Sequence, residues 1–280
     1  MEYKQTDRGI EIEINSKLSL YDTFNCGQCF RFRKKEDSSF YGVAFNKELN
    51  LFREGQTLVL KNVSEEDYIN IWKSYFDIDL DYNKVKDEIA VINPILKEAC
   101  NYAPGIRVLR QEPWETLCSF IISQNNNIKR IEGIIERLCS KFGDRISEGV
   151  YSFPKPETLA CLEPEDLKEL RCGFRDKYII DAARKVDSGE VNLKRVNELQ
   201  IDDAREELMK IKGVGPKVAD CALLYGFHKL EAFPQDVWIK KAMKVLFKDM
   251  SYKEFGKYAG IAQIYIFHYS RMNPQLFSEI

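Results

Sequence analysis

The sequence predicts an α+β chain: an N-terminal antiparallel β domain followed by a longer, two-part all-α domain built around a helix-hairpin-helix. Three observations predict it. Apolar and polar residues alternate in short runs over residues 10–63. From Ser64 the apolar spacing becomes helical and stays so to the end. Late in that region, Ile211-Lys212-Gly213-Val214-Gly215 separates two helical stripes. At 280 residues, two domains are expected, 1–98 with a helical C-terminal part and 99–280.

In the β region the runs Phe40 to Phe45, Leu49 to Phe52 and Leu58 to Val63 are strands, divided by turns such as Glu54-Gly55-Gln56. Ser64 with Asp67 resembles a helix-capping pair. Pro113 takes a favoured first-turn position, and Trp114, Leu117, Cys118, Ile121 and Ile122 then fall on one helical face, so that helix is expected to be buried along one side. It ends in the amide run Gln124 to Asn127. A second stripe follows at Ile128, Ile131, Ile135, Leu138 and Phe142, and Pro154, Pro156 and Pro164 make a loop-rich bridge to the last helices. Asp202 to Lys210 and Pro216 to Tyr225 flank the hairpin, so the motif spans 202–225.

Composition narrows the function classes. An apolar share of 44% with 31% charged residues is that of a globular protein, with no stretch able to span a bilayer. The N-terminus carries no secretion signal, so a cytoplasmic location is expected, nucleoid-associated through DNA if the source is prokaryotic. Eight cysteines in this length are expected to be core thiols; Cys26-x-x-Cys29 has no second pair at metal spacing, and the last cysteine is Cys221. No metal is assigned. The net charge of −2 does not advertise nucleic-acid binding, so contacts must come from local patches: Lys240 to Lys257, Lys129 with Arg130, and Arg171, Arg175 and Lys177. Each is equally a solvated face.

The hairpin carries the chemistry. Gly213 and Gly215 let the backbone turn tightly and approach a phosphate, while the N–H groups opening the second helix attract an anion. Lys217 sits in that helix's first turn, where the positive end of the dipole opposes an ammonium and favours the free amine a lysine nucleophile requires. The alternative is a solvated or phosphate-bound lysine. Nineteen residues on, Phe233-Pro234-Gln235-Asp236-Val237 places an acid at the start of another helix, where it can cap as well as catalyse.

With these residues the sequence resembles the helix-hairpin-helix glycosylases, whose active site joins a G-V-G-x-K hairpin lysine to a downstream Pro-x-Asp. It further resembles the 8-oxoguanine DNA glycosylases along almost its whole length. Cys26 to Arg31 is similar to their G-Q-x-F-R, Leu109 to Pro113 to L-R-Q-D-P, and Ser119 to Ile131 to F-I-x-S-x-N-N-N-I-x-R-I. Gly173-Phe174-Arg175 is similar to G-Y-R, Lys217 to Cys221 to K-V-A-D-C, and Ala259 to Gln263 with Phe267 to the base-pocket helix.

The resemblance implies roles. The Gly27 carbonyl would accept the N7–H that oxidised guanine has and guanine lacks. Cys221 and Phe267 would sandwich the extruded base, and Gln263 would bond its Watson–Crick edge. Asn125 would fill the vacated hole, Phe174 would wedge the stack, and Arg130 and Arg175 would hold the estranged cytosine. By type alone, Cys221 and Phe267 also fit a core, Asn125 a helix C-cap, and the arginines surface charge. Trp238 stands where eukaryotic members usually have His, and Phe174 where Tyr is common. Neither His228 nor His268 is assigned to catalysis.

The implied activity is a bifunctional glycosylase and AP lyase working, without cofactors, as a monomer on duplex DNA containing oxidised guanine. A monofunctional glycosylase for alkylated purines shares the fold and the Asp but lacks the hairpin lysine. A non-catalytic helix-hairpin-helix DNA binder is the rival from another class.

Overall fold

The computed structural model describes residues 2–277. Six antiparallel strands, β1 (Tyr3–Thr6), β2 (Gly9–Glu13), β3 (Phe32–Lys34), β4 (Phe40–Ala44), β5 (Lys47–Glu54) and β6 (Thr57–Lys61), form one sheet in the order β1-β2-β6-β5-β4-β3. The register pairs Ile10 with Leu60, Leu60 with Leu51 and Leu51 with Phe40, so one face is a continuous apolar row. That row and the helical stretch 65–76 enclose a smaller core holding Trp72, Tyr75 and Phe76. The helix Leu20–Asn25 sends Leu20 and Phe24 into this smaller core, while the helices from Tyr82 onward share a larger one.

The sheet begins before the expected residue 10, at Tyr3, because β1 pairs in register with β2. β4 ends at Ala44, one residue short, since Phe45 and Asn46 both take positive φ in a two-residue turn. Ser64 accepts from the Asp67 amide as expected. A strand pair, Arg145–Ser147 with Val150–Tyr151, interrupts the predicted run of helices. The helix Pro113–Ser123 differs most from expectation. It is buried on every side, Thr116, Ser119 and Phe120 included, because helices Ile128–Phe142, Asp176–Asp187 and Pro216–Tyr225 all pack on it.

The two cores meet along residues 26–32, where Cys26 and Phe30 join the larger core and Cys29 and Phe32 the smaller. Gln28, fully buried, bolts the seam. Its Nε2 donates to the carbonyls of Thr23 and Arg107, both at 2.8 Å, and its Oε1 accepts from the Leu109 amide at 2.9 Å. Its own carbonyl accepts from Gln111 Nε2 at 2.7 Å. Beside it Arg31 pairs with Glu115 at 3.3 Å and donates to the Tyr151 carbonyl. Burial pushes the Glu115 carboxyl up to about 7 against the pull of Arg31. No helix among the described residues is long and apolar enough to cross a membrane.

Candidate active site

The helix-hairpin-helix runs from Ile201–Met209 through a tight turn into Pro216–Tyr225. Gly213 has φ +81°, and a Cβ there would fall 2.3 Å from the Tyr178 ring. Only glycine fits. At Gly215, which precedes the second helix, a Cβ would meet nothing within 4 Å, so the backbone is open to an incoming phosphate. Arg205 clamps the two helices through Asp220 at 2.7 Å.

Lys217 leaves the first turn of the second helix half-buried, with Nζ 5.3 Å from the centre of the Phe120 ring and no ion pair among the described residues. Asp236 caps the helix Val237–Val245, its Oδ1 accepting from the Ile239 amide at 2.8 Å. Burial raises its carboxyl above the ordinary value, opposed by the Ile239 amide, Lys217 and the Trp238 amide. Both residues line a chamber of about 380 Å³, and both also border an outer groove of about 760 Å³. The chamber is of a size to bury a small ligand.

Gly27, Cys221, Gln263 and Phe267 line the same chamber. Gly27 has φ +86°, and a Cβ there would lie 3.8 Å from a Phe267 ring carbon. Burial pushes the Cys221 thiol up to about 11, with Lys217 pulling the other way. Gln263 is 4% exposed; its Nε2 donates to the Pro234 carbonyl at 3.1 Å, while its Oε1 is buried without a partner. A buried acceptor left unsatisfied costs about 1–3 kcal/mol.

Asn125 borders the outer groove, exposed and left-handed at φ 47°, one residue past the C-cap Gln124. Arg130 is exposed and donates to the Arg171 carbonyl at 3.2 Å. Phe174 is half exposed, as a wedge requires. Arg175 corrects the patch expected at Arg171, Arg175 and Lys177. It is 2% exposed, donating to the carbonyls of Gln124, Asn125 and Cys172 beneath the Phe174 ring. The Gln124 and Asn125 carbonyls lie just past the end of helix Pro113–Ser123, and one guanidinium satisfies both together with that of Cys172. Of the lysines between 240 and 257, Lys240 borders the groove and Lys257 is paired with Glu88. All cysteines except Cys161 are buried thiols.

The residue reading missed Phe120 and Arg271, which also line the chamber, as does Trp238, noted above only as a departure from the family pattern. A signal existed for Arg271. It stands eight residues after Gln263 and four after Phe267, on the same helical face.

Residues 11–117 match the 8-oxoguanine DNA glycosylase N-terminal domain, and residues 118–254 match the HhH-GPD superfamily of base excision DNA repair proteins. The N-glycosylase/DNA lyase of Saccharomyces cerevisiae is 35% identical over 266 residues, covering 84% of this chain and 70% of the relative. The structure of MBOgg1 in complex with a low-affinity DNA ligand superposes with a TM-score of 0.92 at 42% identity, covering 98% of this chain and all of that one. The Clostridium acetobutylicum 8-oxoguanine glycosylase/lyase, bound to duplex DNA containing cytosine opposite 8-oxoguanine, gives 0.91 at 37% identity, covering 98% and 99%.

Proposed function

We propose the following division of labour from the premise that this chain belongs to the 8-oxoguanine DNA glycosylase family of helix-hairpin-helix base excision proteins. The enzyme excises 8-oxoguanine from duplex DNA and nicks the strand as an AP lyase. The extruded base enters the chamber between Cys221 and Phe267. Gln263 bonds its Watson–Crick edge, and the Gly27 carbonyl takes the N7–H.

As the N9–C1′ bond breaks, its electron pair leaves with the base and the sugar gains oxocarbenium character. The Asp236 carboxylate stabilises that charge without moving, because the Ile239 amide already holds it. Lys217 Nζ, as the free amine, bonds to C1′ and sheds a proton, and opening of the sugar ring gives a Schiff base. The iminium acidifies C2′–H; loss of that proton breaks the C3′–O bond and releases the 3′ phosphate. Side chains alone complete these steps.

The open backbone at Gly215 and the turn at Gly213 take the DNA backbone, Asn125 enters the vacated stack, and Phe174 wedges beside it. Arg130 reads the estranged cytosine. Arg175 has five N–H donors and four contacts already made, so one remains for that base.

The observation that carries this reading is one chamber lined by Lys217, Asp236 and Gln263. Borohydride trapping on duplex containing 8-oxoguanine tests it. The wild type is expected to give a covalent adduct, and Lys217→Gln to give neither adduct nor nick while still binding the duplex. An adduct formed by the variant would remove Lys217 from the mechanism.

A further inference from the structure

We propose that Arg271 is a substrate-binding residue of this site, holding a phosphate that flanks the extruded nucleotide at the chamber mouth. The proposal deepens the functional reading above and rests on it. Gln263, Phe267 and Arg271 recur every four residues along the helix Ala259–Met272, so they form one stripe, each about 6 Å further along the axis than the last. All three line the chamber. Exposure rises along the stripe, from buried Gln263 through half-buried Phe267 to exposed Arg271. The stripe therefore measures depth: the amide lies at the floor, the ring on the wall and the guanidinium at the mouth.

A nucleotide swung into this chamber has the same polarity. Its base goes to the floor, and its phosphates stay where the strand enters. Apart from Lys217 and Asp236, Arg271 is the charged residue of the lining, and it makes no hydrogen bond or ion pair among the described residues. Lys217 cannot serve the phosphate, because attack on C1′ uses its free amine. Trp238, also in the lining, brings an uncharged indole. Arg271 is thus the permanent cation of the chamber lining, as Lys240 borders only the outer groove, and its planar fork matches two phosphate oxygens.

The test compares wild type, Arg271→Gln and Arg271→Lys in single-turnover excision, reading the enzyme concentration for half-maximal rate across a sodium chloride series. Losing one phosphate contact should raise that concentration about tenfold at low salt for Arg271→Gln. It should also reduce the log–log salt slope by about 0.9. Arg271→Lys should keep the slope, because the charge remains. Duplexes in which each linkage flanking the lesion is replaced in turn by an uncharged methylphosphonate then locate the contact. At one linkage, neutralisation should weaken the wild type to the level of Arg271→Gln and cost that variant nothing more. An unchanged slope, or an equal gap between the two proteins on both neutralised duplexes, would overturn the proposal. Absence of 8-oxoguanine excision by the wild type would sink the functional reading and this inference together; normal excision with an unchanged slope sinks this inference alone.

Discussion

Asp236 caps a helix and is proposed to stabilise the sugar cation with the same carboxylate, and asparagine separates the two purposes. Asparagine caps a helix about as well as aspartate, so Asp236→Asn should keep the Ile239 contact and melt with the wild type. Without the negative charge, single-turnover excision should fall on the order of a hundredfold or more. Excision within a few-fold of wild type would remove Asp236 from the chemistry. Because burial raises this carboxyl, the acid limb of the wild-type rate should lie above the ordinary carboxylate range near 4. At this scale the sequence was legible where a role depends on near neighbours. The G-V-G and Pro-x-Asp around them single out Lys217 and Asp236, which the structure brings to one chamber. Arg175 did not, because the carbonyls that bury it belong to residues some fifty positions earlier.

Among elements, the hairpin offers a pair of glycines with opposite demands. Gly213→Ala must place a methyl into the Tyr178 ring at positive φ, so it should destabilise the fold by roughly 1–3 kcal/mol. Gly215→Ala meets open space at φ −97° and should leave the melting temperature nearly unchanged, yet its methyl stands where a phosphate approaches and should weaken DNA binding. Calorimetry with equilibrium binding checks both; a Gly215→Ala protein that binds duplex like wild type would show that no phosphate approaches there. The hairpin helices were legible almost to the residue, since proline and glycine punctuate them. The strand pair at 145–151 was not, being too short to establish a period. The complete burial of helix Pro113–Ser123 was also hidden, because Thr116 and Ser119 are small enough to sit against neighbours that periodicity does not reveal.

For the whole molecule, the seam between the two cores sets how the site is assembled. Gln28→Leu keeps the volume but strands the Leu109 amide and two carbonyls, so it should destabilise by roughly 2–4 kcal/mol. It should also erode preference for 8-oxoguanine over guanine more than it slows lyase action on an abasic site; equal losses in both would count against a positioning role for Gln28. Glu115 makes the same seam sensitive to pH. Its folded value, about 7, lies above its ordinary 4.5, so the folded state holds the proton more tightly. The stabilisation is full below pH 4.5 and lost as pH rises through about 7, a difference of about 3 kcal/mol. Glu115→Gln should flatten that fall, as read from the difference between wild-type and variant unfolding free energies across pH 4.5 to 8; parallel curves would refute the assignment. Gln28 and Glu115 lie far in sequence from Lys217, and nothing local marks either as a bolt. The seam also bears on two sides of the site: Lys217 and Asp236 stand on the helical body, while the proposed N7–H acceptor, Gly27, lies in the crossing segment between Cys26 of the larger core and Gln28 with its hydrogen bonds. Opening that bolt costs less than melting either core. On warming, the crossing segment is expected to loosen before the cores melt, so sound guanine should be excised alongside 8-oxoguanine in that interval; a constant ratio of the two excision rates up to the melting temperature would refute this.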